Sequence, residues 1–144
     1  MILPDINLLV YAHNLRSPCH EKARAWWQNL LEGSDGITLP WVVIQGFVRI
    51  TTHPKVFENP LPVADSLRRV EEWLALPHVR IVHPPENHFA TWARLLGQLR
   101  VAGNLTTDAH LAALAIDRGL ILHCTDADFA RFPGLKWVNP LLDA

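Results

Sequence analysis

No stretch of this chain approaches the roughly 18 consecutive apolar residues that a membrane-spanning helix requires, although 49% of its 144 residues are hydrophobic. The apolar residues are instead dispersed for packing into a core, and the length suits a single domain over residues 1–144. A basic surplus is missing too: 13 Lys and Arg stand against 14 Asp and Glu, for a formal net charge of -1. Proteins that grip nucleic acid nonspecifically usually carry a strongly basic stripe. A nucleic-acid partner is therefore compatible only with locally grouped basic residues, or with a bound cation that reverses the sign of an acidic site. There are two cysteines, Cys19 and Cys124, far apart and without a CxxC pattern; neither a disulfide framework nor a zinc site is indicated. The eight histidines show no metal-ligand spacing, and there are no repeats or low-complexity tracts. The opening MILPDINLL has an acid where a signal peptide needs positive charge, so the expected compartment is the cytoplasm.

What is present is a set of aspartates at informative places. In the stretch 104–129, NLTTDAHLAALAIDRGLILHCTDADF, Asp108 follows Thr106 and Thr107 and opens an alanine-rich apolar run. That pattern predicts a helix capped by a threonine, with Asp108 in its first turn and Gly119 at its end. Residues 120–124 form a short apolar run bounded by glycine and Thr-Asp, which reads as a buried strand with Cys124 as a core thiol; Asp126 and Asp128 fall just past its end. Asp5 has the same placement, between the run Met1-Ile2-Leu3-Pro4 and an apolar helix starting at Ile6. In open parallel sheets ligands bind outside the carboxyl ends of the strands. One Asp at a helix start is most often only a cap. Four at equivalent corners of one sheet repel one another unless a cation offsets the charge, and hard oxygen ligands suit Mg²⁺ or Mn²⁺.

Between these ends the pattern alternates. Ser17-Pro18 predicts the start of a helix through Glu32, with Ala23, Trp26, Trp27, Leu30 and Leu31 as its apolar stripe. Residues 37–39 predict a strand ended by Pro40, and residues 41–50 a helix. The proline-rich segment 53–62 is a loop. Leu67, Val70 and Leu74 recur at helical spacing, and residues 79–82 predict a strand. A further helix carries Phe89, Trp92, Ala93, Leu96 and Leu99; residues 134–138 hold a last short strand, followed by a tail. Strands alternating with helices imply parallel pairing, right-handed crossovers and helices on both faces. The tryptophans lie mostly on apolar helix faces, where core packing is the simpler role. His110, two positions after Asp108, points around the helix from it and reads as structural or solvated.

With Asp5, Asp108, Asp126 and Asp128 in place, the chain resembles the PIN-domain ribonucleases, and specifically the VapC toxins of toxin-antitoxin pairs. The resemblance covers essentially the whole length. It is carried by LPDINLLVYAH, by FVRITTHP with its proline-flanked loop, and by TTDAHLAALA with TDADFARFPGLKWVNP. It implies a three-layer α/β/α sandwich around a parallel sheet of about five strands, and a Mg²⁺- or Mn²⁺-dependent endoribonuclease. It also implies a cognate antitoxin that blocks the site, and a homodimer. By position Asp5, Asp108 and Asp126 match the family's metal-binding acids, and Asp128 a fourth supporting acid. Thr107 and Thr125 precede two of these acids, where their hydroxyls either orient carboxylates or cap backbone. Many members carry a glutamate on the third helix; the nearest matching position here is Gln45, whose amide oxygen can ligate a metal but supplies no charge. Weaker metal binding or a preference for Mn²⁺ is the expected result.

The leading expectation is hydrolysis of an RNA phosphodiester, with Arg49, Lys55 and the pair Arg68 and Arg69 as candidate phosphate contacts, a solvated helix face being the simpler role of that pair. A second reading is a catalytically weak module of the same fold that acts through antitoxin binding. A phosphoacceptor receiver domain is a third, weakened because the paired acids after the first strand and the later lysine that receivers use are not evident. Val48, Phe47 and Trp92 on the third and fifth helices are candidates for the dimer interface, with core packing the simpler explanation of each.

Overall fold

The first four residues of the chain, apolar except at their end, become the central strand of the molecule. In the computed structural model, which describes residues 1–99, 103 and 105–142, β1 (Ile2–Pro4) pairs with β2 (Ile37–Pro40) on one side and β4 (Ile121–His123) on the other. Adding β3 (Val79–Val82) and β5 (Trp137–Val138) gives one parallel sheet in the order β3-β2-β1-β4-β5. Six helices connect the strands: α1 (Ile6–His13), α2 (His20–Glu32), α3 (Trp41–Thr51), α4 (Val63–Leu74), α5 (His88–Leu99) and α6 (Leu105–Arg118). A 3-10 helix, Ala127–Arg131, follows β4.

The chain steps outward from β1 through β2 to β3, then returns to β4 on the other side of β1. Right-handed crossovers put α1 to α4 on one face and α5 and α6 on the other, in keeping with the packing of α1 on α2 and α3, α3 on α4, and α5 on α6. The three-layer α/β/α architecture expected from the sequence is the one observed. The reversal of direction falls between β1 and β4, and the carboxyl ends of strands at such a switch point are where open parallel sheets bind their ligands.

The core fills from both faces. Leu3, Leu8, Leu9, Ile37, Leu39, Phe47, Leu95, Leu111, Leu114 and Leu122 are fully buried. Ala109, Ala112, Ala113 and Ala115 bury one side of α6, so that helix lies close to its neighbours. On the other face Trp73 meets Phe47 and Trp27 edge-on, with centroids 4.8 Å and 5.2 Å apart. Such pairs add to the area term, by about 0.5–1.5 kcal/mol each.

Several local expectations are corrected. α2 begins at His20 rather than at Ser17-Pro18, because the Ser17 hydroxyl accepts the Cys19 N–H and the Ser17 carbonyl accepts the His20 N–H, forming a turn first. The buried stripe of α4 is Ser66, Val70 and Trp73, and Leu67 is 51% exposed; the helix is rotated to bury the larger indole. On α5, Phe89 is 72% exposed while Thr91 and Leu95 are buried. Phe47 is wholly core and has no surface to offer a partner, whereas Val48 and Trp92 are half-buried. The two threonines lie within the first turn of α6, Thr106 returning its N–H and hydroxyl to the Gly103 carbonyl, so neither is the cap; Asn104 lies outside the described residues. Leu141 is buried while Leu142 is exposed, so the segment 139–142 is anchored to the domain through Leu141 rather than forming a free tail. Residues 143 and 144 are outside the described set.

Candidate active site

Each acid is positioned by a separate local device. Asp5 leaves β1 in extended conformation and caps α1, its Oδ1 accepting the Ile6 N–H at 2.8 Å. Its own N–H donates to the His123 carbonyl at 2.9 Å, continuing the register in which Pro4 pairs with His123. Asp5 is therefore fixed beside the end of β4, and is 6% exposed. Asp126 lies two residues past Cys124 and caps the 3-10 helix, its Oδ1 accepting the Asp128 N–H at 2.9 Å. Asp108 occupies the first turn of α6, half-buried, and Asp128 is exposed.

Electrostatics tie these groups together. Burial pushes the Asp5 carboxyl up from 3.8 to about 7, against the lowering effect of the Ile6 N–H, and the charges of Asp108 and Asp126 push it further up. Asp108 is likewise held above its ordinary value, first by burial and then by Asp126 and Asp128. The fully buried Cys124 thiol is pushed up to about 12, mainly by burial and next by Asp5. It is a core thiol, as its place in the strand predicts. No lysine or arginine forms an ion pair with any of the four acids among the described residues. The donor set thus suits a hard divalent cation on chemical grounds. Among the described residues, no three His, Cys, Asp or Glu side chains are drawn together tightly enough to enclose an ion as they stand. One oxygen of Asp5 and one of Asp126 are turned to backbone caps, which leaves each a second oxygen for a ligand.

The remaining residues named from sequence distribute as follows. Thr125 is half-buried between Cys124 and Asp126, and Thr107 is exposed beside Asp108. Gln45 is exposed on α3, one turn along from Val42; the α3 residue that presses on the start of α1 is Gly46, where an added Cβ would stand 2.6 Å from Ile6 Cδ1. Arg49, in the last turn of α3, and Lys55, in the following loop, are both exposed and have no ion pair with the acids. Arg68 sits on a solvated face as expected, 3.4 Å from Asp65.

Sequence reasoning missed one polar group. His88 Nε2 lies 2.8 Å from His110 Nδ1, and Asp117 stands behind His88. Burial and the neighbouring His88 lower the pKa of His110. His110 is therefore partnered between helices rather than solvated. Residues 88 and 110 belong to different helices, so no spacing in the sequence announces their contact.

The PIN domain family profile matches residues 2–135. Two relatives from Mycobacterium tuberculosis align over nearly the full length. Ribonuclease VapC33 is 44% identical over 141 residues, covering 98% of this chain and 99% of its own. Ribonuclease VapC37 is 37% identical over 140 residues, covering 97% of each. Among solved structures, a VapBC2 complex from Rickettsia felis bound to a promoter DNA fragment gives a TM-score of 0.69 at 18% identity, covering 96% of this chain and 98% of that one. Mycobacterium tuberculosis VapC20, a toxin that cleaves the Sarcin-Ricin loop, gives 0.67 at 15% identity, covering 94% and 99%. At such identities the structural likeness speaks to the fold alone.

Proposed function

Because the chain belongs to the PIN domain family, among the VapC ribonucleases, we propose that it is a Mg²⁺- or Mn²⁺-dependent endoribonuclease toxin held in check by a cognate antitoxin. The observation that supports this reading is electrostatic: the charges of Asp108 and Asp126, carried on separate elements, raise the pKa of Asp5, and that of Asp126 raises the pKa of Asp108. A cation held by these acids supplies Lewis acidity that neutralises the scissile phosphate and lowers the pKa of an attacking water. The chain's own contribution is placement. Asp5 is pinned by two backbone hydrogen bonds, so its free oxygen has little freedom to move. Asp126 is pinned by its own capping bond, and Asp128 follows it on the same short helix. Thr107 and Thr125 flank Asp108 and Asp126 and can orient them through their hydroxyls. Gln45 is the α3 side chain we assign to the edge of this site, with a neutral oxygen where an acid would bind metal more tightly.

The antitoxin partner is inferred from membership among the VapC ribonucleases, and proteins of the same fold have been solved as VapBC complexes. No helix among the described residues is long and apolar enough to cross a membrane. A homodimer is proposed by analogy with the family; light scattering at twice 16.3 kDa supports it, and a monomeric mass overturns it.

The test is incubation of total cellular RNA with antitoxin-free protein in Mg²⁺, Mn²⁺ or chelator, beside Asp126→Asn. Discrete fragments that need the cation and vanish in the variant are expected. Identical RNA profiles for the folded protein and the variant, with Mn²⁺ present, would instead favour a catalytically silent module that acts by binding its antitoxin.

A further inference from the structure

Beside the acids, α5 and α6 enclose a buried polar chain that the proposed hydrolysis does not use. Asp117 Oδ1 accepts the Thr91 hydroxyl at 2.8 Å, and Asp117 Oδ2 lies 3.8 Å from His88 Nδ1. Neither Oδ2 nor His88 Nδ1 has a hydrogen-bond partner among the described residues, and both are shut off from solvent. At 3.8 Å the two atoms are too far apart for a hydrogen bond, but a lone pair on His88 Nδ1 facing the buried carboxylate is repelled by it, so the proton of the ring is better placed on Nδ1. A proton on His88 Nδ1, directed at the carboxylate, makes His88 Nε2 an acceptor. His110 Nδ1 then donates across the 2.8 Å contact, and the lone pair of His110 falls on Nε2. Carboxylates fix histidine tautomers in the same way in many sites.

His88 and His110 line a cavity of about 360 Å³ together with Val42, Phe89, Trp92, Thr106 and Thr107. Phe89 is 72% exposed, the greatest exposure of any aromatic side chain among the large exposed apolar residues described. The Trp92 ring stands 5.9 Å from it, tilted by 50°, and is held by its Nε1–H donating to the Thr106 carbonyl at 3.0 Å. Thr107 immediately precedes Asp108 in the first turn of α6, so the cavity lies at the same end of that helix as this acid.

We propose that this cavity is a subsite for one unpaired nucleobase of the RNA strand, with Phe89 and Trp92 as stacking surfaces and His110 Nε2 as a fixed acceptor for the N–H edge of the base. His88 and Asp117 are then positioning residues, acting through His110. The proposal rests on the nuclease reading and deepens it. Aromatic walls alone fit many apolar partners. A wall that ends in a histidine held in one tautomer, next to a candidate phosphate-cleaving site, fits a flat heterocycle with N–H donors. Single-stranded RNA exposes those edges and paired RNA hides them.

The experiment uses the full chain carrying Asp126→Asn, in Mn²⁺, with a short mixed-sequence ribo-oligonucleotide labelled with fluorescein and read by anisotropy. A parallel set of probes carries one abasic position, moved along the strand. Removing a base-aromatic stack costs about ten-fold or more in affinity. Phe89→Ala is therefore expected to weaken binding by about ten-fold, and Phe89→Trp to restore it. One abasic position should cause a similar loss in the parent and little further loss in Phe89→Ala, since both remove the same contact. Fully multiplicative losses, or unchanged affinity in Phe89→Ala, overturn the subsite. So does an RNA affinity that survives while Phe89→Ala alters the mass of the assembly or its hold on an antitoxin peptide; the face then belongs to a protein partner. If the unsubstituted protein cleaves no RNA in any metal while binding remains dependent on Phe89, the nuclease reading fails and the base subsite stands.

Discussion

At Asp5 one carboxylate caps a helix and at the same time is buried within the field of two other acids, and these duties pull its proton affinity in opposite directions. Burial wins, with a pKa of about 7 against an ordinary 3.8. Because the folded value is raised, the native state holds the proton more tightly than the unfolded chain between about pH 4 and pH 7. In that window cation-free protein loses stability as pH rises, and the loss is complete above the folded value. A shift of this size corresponds to about 4 kcal/mol as an upper bound. Asp5→Asn keeps an oxygen to cap Ile6 but cannot ionise, so from pH 5 to pH 8 the stability of the parent by urea denaturation should fall relative to that of the variant, the other titrating groups being common to both. Equal slopes for the two proteins would show that Asp5 titrates normally. Mn²⁺ should raise the melting temperature of the parent at pH 8 and leave Asp5→Asn nearly unchanged. At Gln45 the expected change has the other sign. Gln45→Glu adds the charge that the proposed ligand set lacks and should tighten Mg²⁺ binding in a calorimetric titration, and an unaltered isotherm would remove Gln45 from the site. The acids were legible in the sequence because each follows an apolar strand or opens a helix, a purely local signal. His88, His110 and Asp117 were not, since their association depends on how α5 rotates against α6.

Among the elements, the contact of α3 with the start of α1 has the most direct bearing on the acids. Gly46 lets the two helices approach, and a methyl group there would stand 2.6 Å from Ile6 Cδ1 and about as close as van der Waals limits forbid to the rest of that side chain, 3.1 Å from Cγ1 and 3.2 Å from Cγ2. Ile6 is the residue whose N–H Asp5 caps, so displacement of Ile6 moves the carboxylate as well. Gly46→Ala is expected to cost about 1–3 kcal/mol through overpacking, outweighing the gain in helix propensity of about 1 kcal/mol. It should also weaken Mn²⁺ binding. A variant that is more stable than the parent and binds Mn²⁺ equally would mean that Ile6 swings aside freely. Element positions were readable from strand runs and proline stops, and β3 falls where the pattern puts it. Which way each helix faces was less so. Apolar spacing on α4 and α5 admits a rotation of roughly one residue, and burial of Trp73 on one helix and the Thr91–Asp117 hydrogen bond on the other decided it. The 3-10 helix after Asp126 and the burial of Leu141 gave no periodic signal, being too short to show one.

Over the whole molecule, a net charge of -1 and an acidic site leave little general attraction for a polyanion. Binding RNA must then depend on a divalent cation at that site and on a few separate cations around it, Arg49 and Lys55 being those we assign. Each phosphate neutralised on a single strand steepens the dependence of log K on log salt by about 0.7. Two such contacts predict a slope of roughly -1.4 in the cleavage-silent Asp126→Asn protein at constant Mn²⁺, far shallower than that of a protein gripping a basic stripe. Arg49→Ala and Lys55→Ala should each flatten the slope by about 0.7 while weakening all sequences alike, because phosphate contacts position the strand without reading it. Substitution of Phe89 should leave the slope unchanged and weaken binding through the base alone. Chelator should abolish most of the affinity at any monovalent salt. A slope several times steeper, indifferent to both substitutions, would mean that RNA runs over another surface, and the arginines around the cavity at the end of α1, Arg16, Arg24 and Arg69, would be the next to replace.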